Sequence, residues 1–158
     1  MTKSDFAIVS FGDFGEQLGA RREVDRFRGT TFVGDQSSLQ EFEIDGLPHG
    51  RAYVLVQTAE IEAFDHDVLL NGEPLNAGVD LPAGKSATFQ TPMALIGERR
   101  LRRGKNTLQI RRGAGSEDSF AVYSAVVHWR ERDPLRALLN PAVIKLLGQP
   151  VDEEPEPG

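Results

Sequence analysis

The sequence predicts an all-β fold, an antiparallel β-sandwich of about eight strands followed by one short helix. Three observations carry this expectation. Short segments alternating apolar and polar side chains recur along the chain, clusters of glycine, proline, asparagine and aspartate separate them, and no apolar repeat of helical period occurs before residue 133.

The elements follow in order. Residues 5–11 read as a first strand and 11–28 as a loop-rich arm, because Gly12, Gly15 and Gly19 are poor material for helix or strand. Thr30, Thr31, Phe32 and Val33 form a short β-like run closed by Gly34 and Asp35. In residues 40–45, Phe42 and Ile44 alternate with Glu41, Glu43 and Asp45, which puts apolar groups on one sheet face and carboxylates in water. Residues 46–50 read as a turn. Residues 51–60 are apolar on both alternating faces near their middle, the pattern of a central strand covered on both sides or of a sandwich core.

Val68, Leu69 and Leu70 run into Asn71-Gly72, a strong hairpin signal because both residues tolerate the positive φ of a type I′ turn. Pro74 confines the return strand to an edge or to its own first residue. Further strands are predicted over 86–91, 93–98 and 106–111, the last with Leu108 and Ile110 inward, and a long final strand over 119–130 has Ala121, Tyr123, Ala125, Val127 and Trp129 on one face. Asp133 as N-cap, Pro134 at the first helical position and the stripe of Leu135, Leu138 and Leu139 predict a helix over 133–148, interrupted at Pro141 and stopped at Gly148. The expected organisation is one sandwich domain over 1–132, including the loop-rich arm, then the helical segment 133–148 and a mobile acidic tail over 149–158.

Composition narrows the function classes. With 39% hydrophobic and 27% charged residues the chain is expected to pack a core rather than remain disordered. The apolar stretch 6–11 is too short for a signal-peptide core, and no run approaches the roughly 18 apolar residues of a membrane span. A soluble protein in the cytoplasm, or associated with a particle, is the expectation. The absence of cysteine removes zinc fingers and thiol catalysis. A net charge of −6 argues against a nucleic-acid partner. Residues 98–112 hold seven basic groups against one acid, a local +6, leaving −12 elsewhere.

Two segments together carry a resemblance: the strand ending Val68-Leu69-Leu70-Asn71-Gly72, and a Leu-x-x-Gly-x-Asn-x-Leu-x-Ile element made by Leu101, Gly104, Asn106, Leu108 and Ile110. They resemble the galactose-binding-like β-sandwiches, and the resemblance, covering about residues 39–130, implies a jelly roll. Members that bind sugars do so with loop aromatics and polar side chains at one end of the sandwich.

No catalytic or cofactor motif is complete. Gly84-Lys85-Ser86 lacks the P-loop's first glycine, whose place Val79 takes, and Ser116 lacks the flanking glycines of a nucleophile elbow. Asp65-His66-Asp67 is the densest group of candidate ligands. In a strand Asp65 and Asp67 share a face and His66 points away, so the two carboxylates are candidate ligand contacts, with calcium the ion they would suit, while no metal site is predicted. Phe11, Phe14, Tyr53, Phe64 and Trp129 could stack on a sugar, and Phe11 and Phe14, on the glycine loop, are the two least easily explained as core. Arg99, Arg100, Arg102, Arg103, Arg111 and Arg112 form a candidate partner or anion surface, or else a solvated face offset by Glu41, Glu43 and Asp45. The expected function is a non-catalytic, cofactor-free binding module for a carbohydrate or a protein; the alternative is an assembly subunit of a viral or multiprotein particle, in an oligomer or larger assembly.

Overall fold

The computed structural model describes residues 2–76, 80–84 and 88–132. The predicted helix over 133–148 and the tail 149–158 lie outside the described residues. The described chain forms β1 (Thr2–Ser10), β2 (Glu16–Leu18), β3 (Thr31–Gly34), β4 (Gln40–Ile44), β5 (Leu47–Pro48), β6 (Ala52–Ala59), β7 (Asp67–Leu70), β8 (Glu73–Pro74), β9 (Phe89–Gln90), β10 (Met93–Ile96), β11 (Gly104–Arg111) and β12 (Phe120–Arg132). Two strands lie beyond the predicted set, β2 and β5, which have three and two residues, too few to show a period; β8 and β9 fall within the predicted return strand and the predicted strand over 86–91.

Two sheets pack as a sandwich. The larger follows the order β10-β6-β12-β2-β3, with β1 and β5 also on β12 and β9 on β6; the smaller follows β4-β11-β7-β8. Pairing is antiparallel except between β2 and β3, which run parallel and correct the all-antiparallel expectation. Between the sheets, Val54 and Val56 of β6 and Ala125, Val127 and Trp129 of β12 meet Phe42 and Ile44 of β4, Val68 and Leu70 of β7, and Leu108 and Ile110 of β11. The Phe42 and Trp129 rings lie 6.1 Å apart across this layer. Each large apolar side chain so buried stabilises the fold by about 1.5–3 kcal/mol.

The Asn71-Gly72 hairpin forms as its sequence requires. Leu70 pairs with Glu73, and the two turn residues adopt φ of 52° and 84°. The Asn71 side chain then reaches the neighbouring strand, accepting from the Thr107 N–H at 2.9 Å and donating to Asn106 Oδ1 at 3.0 Å. Asn106 is fully buried and closes the turn before β11, donating to the carbonyls of Arg102 and Gly104 at 2.7 and 3.0 Å and accepting from the Arg102 N–H at 3.0 Å. The two motifs that carried the resemblance are thus one network.

The arm over 11–28 is more ordered than its glycines suggest. β2 pairs with the start of β12, and its polar residues are buried because each is satisfied locally. Glu16 accepts from the Ser38 N–H at 2.8 Å, while Gln17 donates to the Arg21 carbonyl at 2.9 Å and accepts from the Glu23 N–H at 3.0 Å. Gly15 is required by a close approach: at φ 98°, a Cβ would sit 2.6 Å from the Tyr123 ring. Phe11 is fully buried in the main core, which corrects its place among the ligand contacts. The reason is local: its N–H donates to the Tyr123 carbonyl at 2.9 Å and seats the residue against β12.

Candidate functional site

An open cleft of about 870 Å³ lies where β11 ends and β7 begins, lined by Asp35, Gln36, Phe64, Asp65, Asp67, Pro74, Arg111, Arg112, Gly113 and Ala114. Sheet register builds its floor. Arg111 stands directly opposite Asp67, and its Nε and Nη2 donate to Asp67 Oδ2 at 3.1 and 2.6 Å. The next residue, Arg112, turns its guanidinium to Asp35, with Nε and Nη2 donating to Oδ1 at 3.0 and 2.7 Å, and Nη1 also donates to the Ser116 carbonyl. Asp35 is held in place by its own carbonyl, which accepts from the Arg112 N–H at 2.8 Å. Two guanidinium–carboxylate pairs therefore stand side by side at the strand end, each with a planar, fixed geometry.

The opposite wall is a loop pinned from behind. Asp118 Oδ2 accepts from the N–H groups of Glu62 and Ala63 at 2.9 and 3.0 Å and contacts His66 Nε2 at 2.8 Å. His66 is completely buried, its ring 4.3 Å from that of Phe120. The Gly113 N–H donates to His66 Nδ1 at 3.1 Å, so the ring proton sits on Nε2 and goes to Asp118. Asp65 Oδ1 comes within 3.3 Å of the same Nδ1. That approach is not an ion pair, because the Nδ1 lone pair already accepts from Gly113. With both ring nitrogens engaged, His66 has no free position to act as a base toward the cleft.

Burial of Asp118 opposes its ionisation, but the hydrogen bonds from His66, Glu62 and Ala63 outweigh burial and hold its carboxyl below the ordinary range. Among the described residues Asp118 Oδ1 has no hydrogen-bond partner, and the anchoring runs through Oδ2. Gly113 is fixed by contact, since a Cβ there would lie 2.4 Å from the Asp65 carbonyl oxygen. The consequence of this scaffold is the position of Phe64. Its neighbours Ala63 and Asp65 are tied down, and its own ring is left 64% exposed on the cleft wall.

The residues singled out in the sequence divide among separate places. Asp65 and Asp67 both line the cleft and His66 turns inward, although β7 begins only at Asp67; Arg111 and Arg112 join them. Phe14 is 76% exposed on the arm and is not among the cleft residues. Arg99, Arg100, Arg102 and Arg103 precede β11 and lie beyond its other end, Gly104, which is about 23 Å from Arg111 at about 3.3 Å per residue. There Arg100 donates to the Glu73 and Pro74 carbonyls at 3.1 and 3.0 Å, Arg103 to the Asp45 carbonyl at 2.9 Å, and Lys105 pairs with Glu41 at 3.1 Å. The basic run is therefore two groups, one largely engaged with its own fold. Asp35 and Gln36 were missing from the site expected from sequence, and Phe64 was named there only among five aromatics that could stack on a sugar, behind Phe11 and Phe14. Phe64 carried a usable signal, a lone aromatic between the end of an apolar strand and the polar Asp65-His66-Asp67 cluster.

Among the described residues no group of three or more histidine, aspartate or glutamate side chains is arranged to hold a metal ion. No described helix is long and apolar enough to cross a membrane. No curated protein matches the chain. Among solved structures, the crystal structure of the CBM36-1 domain of a multidomain xylanase from the hindgut metagenome of Trinervitermes trinervoides is similar at 10% identity, over 78% of this chain and 96% of that one, with a TM-score of 0.46. A family model covers residues 3–131, from the first strand to the last, and the chain belongs to that family of unknown function, DUF7383.

Proposed function

We propose that the chain is a non-catalytic binding module of the galactose-binding-like, jelly-roll kind, and that it takes a carbohydrate in the cleft at the end of β11. The observation that carries this reading is Phe64, an aromatic ring 64% exposed beside paired carboxylates and guanidinium groups. A sugar has an apolar C–H face and a rim of hydroxyls. An exposed ring offers the first a stacking surface, and fixed planar polar groups offer the second matched donors and acceptors. The motif resemblance around Asn71 and Asn106 supports the same reading. The cleft also has the build of a binding site: its polar groups are held by one another and by the buried Asp118–His66 pair, and no side chain there stands as a nucleophile beside a free base.

The test is calorimetry of the full chain against a panel of neutral and acidic oligosaccharides, with Phe64→Ala beside it. The expected result is binding that Phe64→Ala weakens about tenfold, or about 1.4 kcal/mol, at unchanged thermal stability. No binding at millimolar sugar, or binding indifferent to Phe64→Ala, overturns the reading.

A second reading, an assembly subunit, rests on a different observation, the exposed apolar side chains Phe6, Ile8, Met93 and Leu95 on the larger sheet. A concentration-dependent mass in sedimentation, lost on Ile8→Asp, is the result it requires.

A further inference from the structure

β1 is an open sheet edge. It pairs with β12 on one side, and among the described residues no strand pairs with the other. The Phe11 N–H donates to the Tyr123 carbonyl, so by alternation the odd residues of β1 turn their N–H and C=O groups to β12. The even residues Ser4, Phe6, Ile8 and Ser10 turn theirs outward, and the Phe6 N–H meets Asp5 Oδ1 of its own strand at 2.9 Å. Sheet edges elsewhere are short or charged: β8 and β9 have two residues each, β3 and β10 four, and β4 carries Glu41 and Glu43. β1 has nine residues, and from Phe6 to Ser10 none is charged and none is proline. The side chains of Ser4, Phe6, Ile8 and Ser10 are exposed, Phe6 at 59% and Ile8 at 64%.

We propose that β1 pairs antiparallel with β1 of a second copy, about a two-fold axis at Ala7. A second copy is the partner because the strand complements itself. In this register Phe6 faces Ile8 of the other copy and Ser4 faces Ser10, so apolar meets apolar and hydroxyl meets hydroxyl. Asp5 faces Val9 and Lys3 faces Phe11, so no like charges are opposed. Ala7 meets Ala7 in a non-hydrogen-bonded pair, where Cα atoms approach to about 4.5 Å and a methyl group fits. Moving the axis to Phe6 or to Ile8 would instead set Ile8 against Ser4, or Phe6 against Ser10. The outer apolar face also becomes continuous: the row Leu95, Tyr53, His128 and Phe6 of one copy runs on into Ile8, Val126, Leu55 and Met93 of the other. One strand per copy is a small joint beside the roughly 800 Å² per partner of a standard interface, so the dimer is weak and forms with rising concentration. Asp5 weakens it further, because the Phe6 N–H must leave Asp5 to reach the second copy. The inference rests on the assembly reading, for which it names the partner and the contact, and is independent of the cleft.

In sedimentation velocity the full chain is expected to pass from monomer toward dimer between about 5 and 500 µM. Ile8→Pro removes an outward N–H and no bond to β12, and is expected to weaken the dimer by about tenfold. Asp5→Ala frees the Phe6 N–H and is expected to strengthen it by about threefold. The chain has no cysteine, so a second measurement stands apart from how well the proline variant folds. Under mild oxidation Ala7→Cys is expected to link two copies at least about tenfold faster than Ser4→Cys, because residue 7 meets itself across the axis and residue 4 does not. A chain that stays monomeric to about 500 µM overturns this inference and the assembly reading together. A dimer that ignores Ile8→Pro, or in which Ala7→Cys links no faster than Ser4→Cys, overturns the edge pairing alone and leaves the assembly reading standing.

Discussion

The two ends of β11 use polar residues in opposite ways. At its start, around Gly104, uncharged amides are taken fully into the fold: Asn106 is completely buried and its side chain makes four hydrogen bonds with Asn71, Arg102 and Gly104. At its end, charged groups meet at the surface of an open cleft, with Arg111 on Asp67 and Arg112 on Asp35. The first arrangement spends its polar atoms on closing a turn. The second leaves carboxylate oxygens and a bare ring facing solvent, where a ligand can reach them. The difference teaches that hydrogen-bonding density alone does not mark a site; what marks it is polar groups held rigid but left accessible.

The comparison predicts where stability resides, and its largest expected effect is at the amide end. Asn106→Ala leaves the Arg102 and Gly104 carbonyls, the Arg102 N–H and the Asn71 amide short of a buried partner, and is expected to cost about 3 kcal/mol, read from the urea midpoint at unchanged slope. A loss under about 1 kcal/mol would break the contrast. The next effect is behind the cleft, where Asp118→Asn removes a buried carboxylate that anchors Glu62, Ala63 and His66, at an expected cost of about 2 kcal/mol at neutral pH. The folded carboxyl is depressed below its ordinary value of 3.8. Its contribution is therefore present above that value and is lost as the pH falls through the folded pKa beneath it. The gap between wild type and Asp118→Asn should narrow as the pH drops below 3.8, whereas the Asn106→Ala gap, which involves no titrating group of its own, should stay flat. Parallel pH profiles for the two variants would count against the assignment.

These contrasts also explain how much of the molecule was legible in the sequence. The amide end was readable because its chemistry is local: Asn71-Gly72 needs positive φ, Gly104 needs φ 83°, and each advertises that need by residue type. Alternation in β4, β6, β11 and β12 gave the core, since a period of two survives in any strand of five residues or more. β2 was not readable, because Glu16, Gln17 and Leu18 are three buried residues whose polar members are satisfied by contacts the sequence does not announce. The cleft was half readable. Asp65 and Asp67 were placed on one side by period alone, but Asp35 joins them through pairing of the 35–37 segment with β11, a long-range bridge between Gln36 and Arg111. Phe11 and Phe14 drew attention for their glycines, yet those glycines serve the approach of the arm to β12, and the exposed ring of the cleft is Phe64.

The smallest effect sharpens the comparison at the cleft surface. The Asp67 side chain is 11% exposed, and the Arg111 side chain that faces it is 39% exposed. A pair so placed gains from its two-point geometry and loses most of its Coulomb energy to water. A double-mutant cycle with Asp67→Asn and Arg111→Gln is expected to give a coupling of about 0.5–1 kcal/mol, weakening between low and high salt. If the cleft is the binding site, each single substitution should weaken ligand binding by more than it weakens folding, because the partner left behind is no longer held in the fixed geometry that meets the ligand's hydroxyls. A coupling as large as the Asn106 effect, insensitive to salt, would instead make the two ends of β11 alike and remove the physical ground for reading one of them as a site.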